Sequence, residues 1–294
     1  MDRQKISYIG LGVMGLPFAG HLRAAGHDVL AYDKAEAARA GADDQGLNVA
    51  AGIEDCVAFA DVLFTCLSSP DAVKAVYAEV GKPGLVCCDN STIGPTLAKS
   101  LQAELRSREV GYVECPMLGG VGEAERGELF LIVSGDEANI ERVLPLALAA
   151  ARDHRIVGGP GSASLFKTVQ NGLGHVQAAG IAEALALVAS SGGDLDQFID
   201  VVGAGGGMAA TPFFRAKAPM MRDLPSDPVG KLYIAAKDAG LAATLADEMG
   251  LDLPLFRRSA AIYEAAMNQG LADADMAAII RVLEKTTGTK VAKG

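Results

Sequence analysis

Residues 162–191 read SASLFKTVQNGLGHVQAAGIAEALALVASS. The stretch holds no proline, is mostly apolar, and carries a single lysine, Lys167, near its start. At the rise of an α-helix it predicts a rod about 45 Å long. Upstream of Gly161, short β-rich runs alternate with helical ones, whereas no convincing strand follows it. The chain therefore reads as an alternating α/β body over residues 1–161 and an all-α body over 162–294, joined by the long helix. Lys167 and Asn171 are four apart and share one helix face, close to a domain junction of the kind where small ligands bind.

The 294 residues can bury a sizeable core in one or two domains. Half of them are hydrophobic and 5% aromatic, the composition of an alanine- and glycine-rich globular protein and not of a disordered chain. A net charge of −10 argues against a nucleic-acid or anionic-membrane partner, since either needs clustered Lys and Arg. No apolar run reaches membrane-spanning length without a charge or a cluster of glycines, and the first strand begins too early for a signal peptide, so the expected location is the cytoplasm. Cys56, Cys66, Cys87, Cys88 and Cys115 are odd in number, lack Cys-x-x-Cys spacing and read as reduced thiols, mostly in core strands. With His21, His27, His154 and His175 also lacking ligand spacing, no metal is expected.

Ile6 to Gly10 is an apolar run ending in Gly10-Leu11-Gly12-Val13-Met14-Gly15, and a helical pattern follows. Strand, glycine turn and helix in that order form the context of the dinucleotide fingerprint. Gly10 allows a tight turn, Gly12 lets backbone approach a pyrophosphate, and Gly15 lets helix and strand pack closely, while the helix N-terminus offers N–H groups to phosphates. An ordinary glycine turn is the alternative, and the next strand weighs against it. Residues 28–32 read as a second buried strand that stops at Asp33, 18 residues after Gly15. That is near the spacing of a carboxylate that accepts hydrogen bonds from an adenosine ribose. It would repel a 2′-phosphate, so NAD is expected over NADP, with the Lys34 ammonium partly offsetting the repulsion.

Further strands are expected at 61–67, 84–90, 111–117 and 129–134, with helices at 53–60, 71–79, 95–106 and 137–149. Continuous apolar strands such as Val62-Leu63-Phe64 fit a sheet covered on both faces, hence a doubly wound Rossmann-type domain. Ligands in such sheets lie beyond the C-terminal strand ends, which selects the loops Leu67-Ser68-Ser69, Asp89-Asn90-Ser91-Thr92 and Met117-Leu118-Gly119-Gly120. Ser91-Thr92 before Gly94-Pro95 fits a helix cap as well as a ligand contact. Gly119-Gly120 fits a flexible turn as well as N–H groups converging on a carboxylate.

Ser162 reads as the N-cap of the long helix, placing Lys167 in its second turn. The positive helix end and burial between domains would both lower that amine's pKa toward a range useful for proton transfer. The alternative is a lysine whose stem covers apolar surface while its head reaches water. Asn171 holds a ligand or bonds neighbouring backbone, and Glu183, in an apolar stripe, reads as structurally paired. Later helices are expected at 195–202, 213–220, 231–249, 256–270 and 273–286, with a loose connector from Gly203 to Gly207 and a mobile tail from Thr286 to Gly294. Alanine-rich helices that approach closely fit a homo-oligomer, a dimer or a tetramer.

Together these residues resemble the β-hydroxyacid dehydrogenase family over nearly the full chain. Gly10 to Pro17 with Ala25-Gly26-His27 is similar to the family's cofactor signature, and Asp89-Asn90-Ser91-Thr92 to its nicotinamide-side loop. Pro116 through Gly119-Gly120-Val121 to Ala124 and Gly127 resembles the substrate signature, Lys167 with Asn171 the catalytic lysine helix, and Lys237-Asp238 the late pair near the cofactor. The resemblance implies a C-terminal domain like that of 6-phosphogluconate dehydrogenase. It further implies that Lys167 transfers the hydroxyl proton while nicotinamide takes hydride from the same carbon, with Asn171 holding substrate and lysine. Gly10, Leu11, Gly12, Val13, Met14, Gly15, Asp33, Leu67, Ser68, Thr92 and Lys237 would contact the cofactor. Ser91, Thr92, Leu118, Gly119 and Gly120 would contact the substrate, a small carboxylated alcohol or semialdehyde.

The chain departs from the family at Leu118, usually serine, at Gly230, often aromatic, and at Ala209-Ala210, bulkier in some relatives. A less polar pocket fits NAD-dependent oxidation of a short β-hydroxy acid, 3-hydroxyisobutyrate-like, to its semialdehyde. One alternative is an NADPH-dependent reductase of glyoxylate, succinic semialdehyde or tartronate semialdehyde, against which Asp33 argues. Imine reductases are also similar but commonly lack a lysine at the position of Lys167. A non-catalytic dinucleotide-binding sensor or partner-binding protein is opposed by Lys167 and Asn171.

Overall fold

The computed structural model describes residues 3–293. The chain divides into two compact units, 1–168 and 169–294. In the first, β1 (Lys5–Ile9), α1 (Gly15–Ala24), β2 (Asp28–Tyr32), α2 (Glu36–Asp44), β3 (Asn48–Val49), α3 (Ile53–Phe59), β4 (Val62–Thr65) and α4 (Pro70–Ala78) alternate. There follow β5 (Val86–Asp89), α5 (Pro95–Ser107), β6 (Gly111–Glu114), β7 (Met117–Leu118), α6 (Val121–Arg126), β8 (Leu129–Gly135), α7 (Glu137–Ala147) and β9 (Ala151–Ile156). Strands β3-β2-β1-β4-β5-β6 pair in that order, all parallel. Strand β8 runs antiparallel to β6 and β7, and β9 runs parallel to β8.

Alternation along the strands feeds two cores. Ile6, Tyr8, Phe64 and Cys88 join Phe18 and Leu22 of α1 on one face, while Ile9, Leu63, Cys87 and Tyr112 join Val73 of α4 and Leu101 of α5 on the other. Burial on both faces is why the strands read as continuous apolar runs. The rings of Tyr8, Phe18 and Phe64 lie with centroids 5.6, 5.9 and 5.7 Å apart beneath the first glycine turn.

The strand expected at 111–117 is interrupted. Pro116 has no N–H to donate, so β6 ends at Glu114 and the chain resumes as β7 against β8. Elements α2, β3, α6 and β9 were not foreseen. Strand β9 is an edge whose Arg152 and Arg155 are exposed, so it carries charges instead of an apolar period.

Helix α8 (Ser162–Ser190) begins in the first unit and continues into the second, so the division falls seven residues beyond the expected 161/162 junction. The physical reason is that the first turns of α8 are tied to the sheet. Glu114 Oε2 accepts from Ser164 N at 2.9 Å, Ser134 Oγ accepts from Ala163 N at 3.0 Å, and Thr168 Oγ1 donates to Ile93 O at 3.4 Å. Ser162 is inside the helix and not its N-cap. Gly161 takes that place, its carbonyl accepting from Leu165 N at 2.9 Å.

The second unit adds α9 (Leu195–Gly205), α10 (Pro212–Arg222), α11 (Leu232–Glu248), α12 (Pro254–Asn268), a 3₁₀ turn (Met276–Ile279) and α13 (Ile280–Thr287). Gly203 and Gly205 are helical, and α9 stops at Gly206 with φ +76°, so the expected loose connector is shorter. Ala178, Ala182 and Leu185 of α8 form the core with Leu232 and Ala239 of α11 and Tyr263 of α12. A Cβ at Gly172 would stand 2.6 Å from the Ala242 methyl, so this glycine sets how closely α8 and α11 approach. Glu183 is exposed and not paired inside an apolar stripe.

The tail is docked and not loose. Val291 and Ala292 are buried, and both their N–H groups donate to Glu284 Oε1 at 2.7 Å. Lys293 N donates to Arg222 O at 2.7 Å; Gly294 lies outside the described residues.

Candidate active site

The glycine turn joins β1 to α1, and each glycine has its own constraint. Gly10 has φ +101°, and a Cβ there would stand 2.2 Å from Cys66 O. At Gly15 a Cβ would stand 1.9 Å from Gly10 O, so the helix is pressed onto the turn. Gly12 has no atom within 4 Å of that position. Backbone is thus exposed there to a ligand, and the Val13 side chain beside it is 68% exposed. A cavity of about 670 Å³ opens from Leu11, Gly12 and Val13 along Leu16, Pro17 and His21 of α1 to Val121 and Glu125 of α6. His21 Nε2 donates to Ala124 O at 3.0 Å, bracing α6 against α1. A turn open at Gly12, at a helix N-terminus, fits a pyrophosphate.

Asp33, expected to meet a ribose, follows directly on β2 and is engaged by the protein's own backbone. Its Oδ2 accepts from Leu11 N and its Oδ1 from Ala35 N, each at 2.8 Å, so the carboxylate also props the glycine turn. Arg39 donates to the carbonyls of Asp33 and Lys34 at 2.7 and 3.0 Å, its guanidinium 5.8 Å from the Tyr32 ring centroid.

The loops after β4 and β5 are held together. Leu67 N donates to Ser91 Oγ at 2.9 Å, so Ser91 links two loops and does not cap α5, whose N-cap is Gly94 followed by Pro95. Ser69 caps α4 through Ala72 N at 3.1 Å, leaving Ser68 exposed and Thr92 half-buried. Beneath them Asp89 Oδ1 accepts from Thr65 Oγ1 and Ser91 N at 2.9 Å, and Oδ2 from Tyr112 OH at 3.1 Å. Burial pushes the Asp89 carboxyl above its usual range despite these donors. Asn90 accepts from Tyr8 OH at 3.1 Å and donates to Cys115 O at 2.8 Å. These contacts make the strand ends a rigid floor.

In the loop after β7, Leu118 is half-buried, Gly119 and Gly120 are exposed, and Gly119 has φ +126°. Gly120 N donates to Glu123 Oε2 at 2.8 Å. An acidic side chain of the protein therefore already holds one of the N–H groups expected to meet a substrate carboxylate. That hydrogen bond keeps the Glu123 carboxyl below its ordinary range. Lys167 Nζ donates to Met117 O at 2.8 Å, at the root of this loop. The lysine head thus meets the backbone of the loop, as neither sequence alternative specified.

In the second unit, Asn171 Nδ2 donates to Asp238 Oδ2 at 2.8 Å, and Lys237 Nζ pairs with Asp238 Oδ1 at 2.9 Å. Asp238 is buried and joins Asn171 to Lys237, two residues expected to act separately. His175, one turn on, bonds the Tyr263 hydroxyl at 3.1 Å and is a core histidine. No atom lies within 4 Å of a Cβ at Gly230.

Glu114 was not foreseen as a site residue, and Asp238 was foreseen only as the neighbour of Lys237. The available signals were an acid inside the apolar run Tyr112-Val113-Glu114-Cys115 and an acid next to Lys237. None of the five cysteines is in a disulfide. Burial raises the thiol of Cys56 to about 12 and that of Cys87 further, so neither is a nucleophile at neutral pH. Among the described residues no group of three or more His, Cys, Asp or Glu side chains is placed to hold a metal.

Residues 5–159 match the NAD binding domain of 6-phosphogluconate dehydrogenase, and 161–283 match the NAD-binding domain of NADP-dependent 3-hydroxyisobutyrate dehydrogenase. The 2-(hydroxymethyl)glutarate dehydrogenase of Eubacterium barkeri is 31% identical, over 99% of this chain and 98% of its own. The NAD-dependent L-serine dehydrogenase of Pseudomonas aeruginosa is 29% identical, covering 97% and 99%. The solved structure of Mycobacterium tuberculosis 3-hydroxyisobutyrate dehydrogenase with L-serine superposes with a TM-score of 0.82 at 30% identity, over 96% of this chain and 99% of that one. With these matches end to end, the chain belongs to the β-hydroxyacid dehydrogenase family and is an NAD(P)-dependent 3-hydroxyacid dehydrogenase.

Proposed function

We propose that the enzyme oxidises a short, weakly polar β-hydroxy acid to its semialdehyde with NAD⁺, and that Lys167 takes the hydroxyl proton. The observation that carries this reading is the 2.8 Å bond from Lys167 Nζ to Met117 O, which sets the amine beside the Leu118-Gly119-Gly120 loop. Oxidation removes a hydride from the carbinol carbon and a proton from its oxygen. The dinucleotide, when bound, supplies the hydride acceptor. Lys167 receives the proton, and backbone N–H groups at 118–120 orient the substrate carboxylate once the Glu123 side chain gives way. Thr92, half-buried, lines the substrate side, whereas Ser91, expected there too, is buried with its hydroxyl held by Leu67 N and supports the loop from beneath. The turn from Gly10 to Gly15, with Asp33, Leu67, Ser68 and Thr92, holds the cofactor, and Lys237, paired with Asp238, closes over it. The Asn171 amide, itself held by Asp238, helps hold substrate and lysine.

Asp33 supports NAD⁺ over NADP⁺ through repulsion of a 2′-phosphate. Leu118, apolar and half-buried, supports a substrate like 3-hydroxyisobutyrate over a polyhydroxylated one. The exposed Leu173 and Leu187 of α8 support a homo-oligomer, the net charge of −10 speaks against nucleic acid and anionic membranes, and reduced thiols suit the cytoplasm. The test is a panel of 3-hydroxyisobutyrate, L-serine, 2-(hydroxymethyl)glutarate and glycerate, each with NAD⁺ and NADP⁺, followed by absorbance of the reduced nicotinamide. The highest kcat/KM should fall to 3-hydroxyisobutyrate with NAD⁺; a preference for glycerate or NADP⁺ contradicts the reading.

A further inference from the structure

We propose that Glu114 is a positioning residue that locks the amine of Lys167 to the substrate loop and raises its basicity; the proposal rests on the reading of Lys167 as the proton acceptor. Glu114 closes β6 and is 2% exposed. Its two carboxylate oxygens take different N–H groups at the N-terminal end of α8, Oε1 that of the N-cap Gly161 and Oε2 that of Ser164. Ser134 Oγ of β8 takes the N–H between them, that of Ala163.

A buried carboxylate is costly, and a neutral side chain caps the same helix, as Ser134 does. The charge therefore calls for a reason beyond capping. One turn further along α8 stands Lys167, whose Nζ reaches Met117 O, three residues past Glu114 in the same run. Long side chains on a helix lean toward its N-terminus, so the ammonium and the carboxylate lie toward the same end of α8. The segment from Glu114 to Met117 thus grips the helix twice and leads directly into Leu118-Gly119-Gly120. Its negative charge offsets the positive helix end, which by itself would weaken the lysine as a base. Tyr112 of β6, which feels the Glu114 charge, and Lys99 of α5, whose stem lies against Gly161, also lie beside this clip.

The experiment is the pH profile of kcat for wild type, E114Q, E114D, S134A and K167A, with NAD⁺ and the panel acid that wild type turns over fastest. E114Q keeps the shape but loses the charge. Its kcat falls about tenfold, its acid limb moves down by about one pH unit, and KM for NAD⁺ stays within about twofold. S134A removes an acceptor from the same helix end without changing charge, so its Tm falls while its acid limb stays in place. A merely structural Glu114 would behave like Ser134. If E114Q is recovered unfolded, E114D is read instead. Its shorter side chain withdraws the charge, so its kcat drops and its limb moves the same way by less. Wild-type kcat and limb in the variant read overturn the proposal, provided K167A is inactive. Turnover retained by K167A overturns the reading of Lys167 itself, whatever the Glu114 variants do.

Discussion

Alanine at Gly12 and alanine at Gly15 separate cofactor binding from folding within one turn. A Cβ at Gly15 meets the Gly10 carbonyl oxygen at 1.9 Å and the Tyr8 ring at 3.0 Å. The first is backbone and the second is fully buried, so neither gives way easily. Overpacking of this kind costs about 3 kcal/mol, of which alanine's helix propensity returns about 1. G15A should therefore lose about 2 kcal/mol and about 4–8 °C in Tm. Nothing lies within 4 Å of the carbon added at Gly12, so G12A should melt like wild type. Its methyl group instead stands where backbone meets pyrophosphate and removes one or two charge-assisted hydrogen bonds. That loss is worth about 1.5–3 kcal/mol, raising Kd for NADH about 10- to 100-fold. The chain has no tryptophan, so NADH emission can be titrated directly, with calorimetry alongside. NADH binding by G12A within about twofold of wild type, at unchanged Tm, would refute the assignment of the turn to the pyrophosphate.

Because Asp33 also accepts from Leu11 N, D33A should weaken NADH about tenfold and fail to tighten NADPH, read by the same titration; a clean switch to NADPH would show that the carboxylate acts on the ribose alone. Glu123→Ala releases Gly120 N and removes a like charge, so KM for the hydroxy acid should fall about threefold while α6 loses its N-terminal carboxylate contact, and a raised KM would contradict this. Burial disfavours the Glu284 carboxylate, but Arg281 and the N–H groups of Val291 and Ala292 outweigh burial and hold it below its ordinary value of 4.5. Its contribution is thus fully present above pH 4.5 and is lost as pH falls through the lower folded value. Carboxypeptidase release of the C-terminal residues, slow at neutral pH, should accelerate below that point and be fast at all pH values in E284Q; a pH-independent rate in wild type would exclude this anchor.

The parallel sheet was legible because strands buried on both faces leave unbroken apolar runs, and the turn was legible because glycine there answers steric demands at Gly10 and Gly15. Strand β9 was not, since an edge carrying Arg152 and Arg155 has no hydrophobic period to detect. The cap of α8 was misassigned to Ser162 because local rules look for a capping residue next to the helix. The groups that cap it, Glu114 and Ser134, come from strands far away in sequence. Ser91 deceived for the same reason, its partner being Leu67 N in another loop. Lys167 and Asn171 could be named from their helix. Their partners Met117 O and Asp238 Oδ2 are tertiary facts that no spacing rule contains.

Substitution of Lys167 by alanine, followed by single-turnover oxidation and by NADH titration of the same preparation, tests the central claim most directly. Loss of a proton acceptor held at the substrate loop should slow the chemical step about 10²- to 10⁴-fold while Kd for NADH stays within about twofold. A wild-type rate in K167A, or a loss traced wholly to NADH binding, would contradict the assignment of Lys167 as the base.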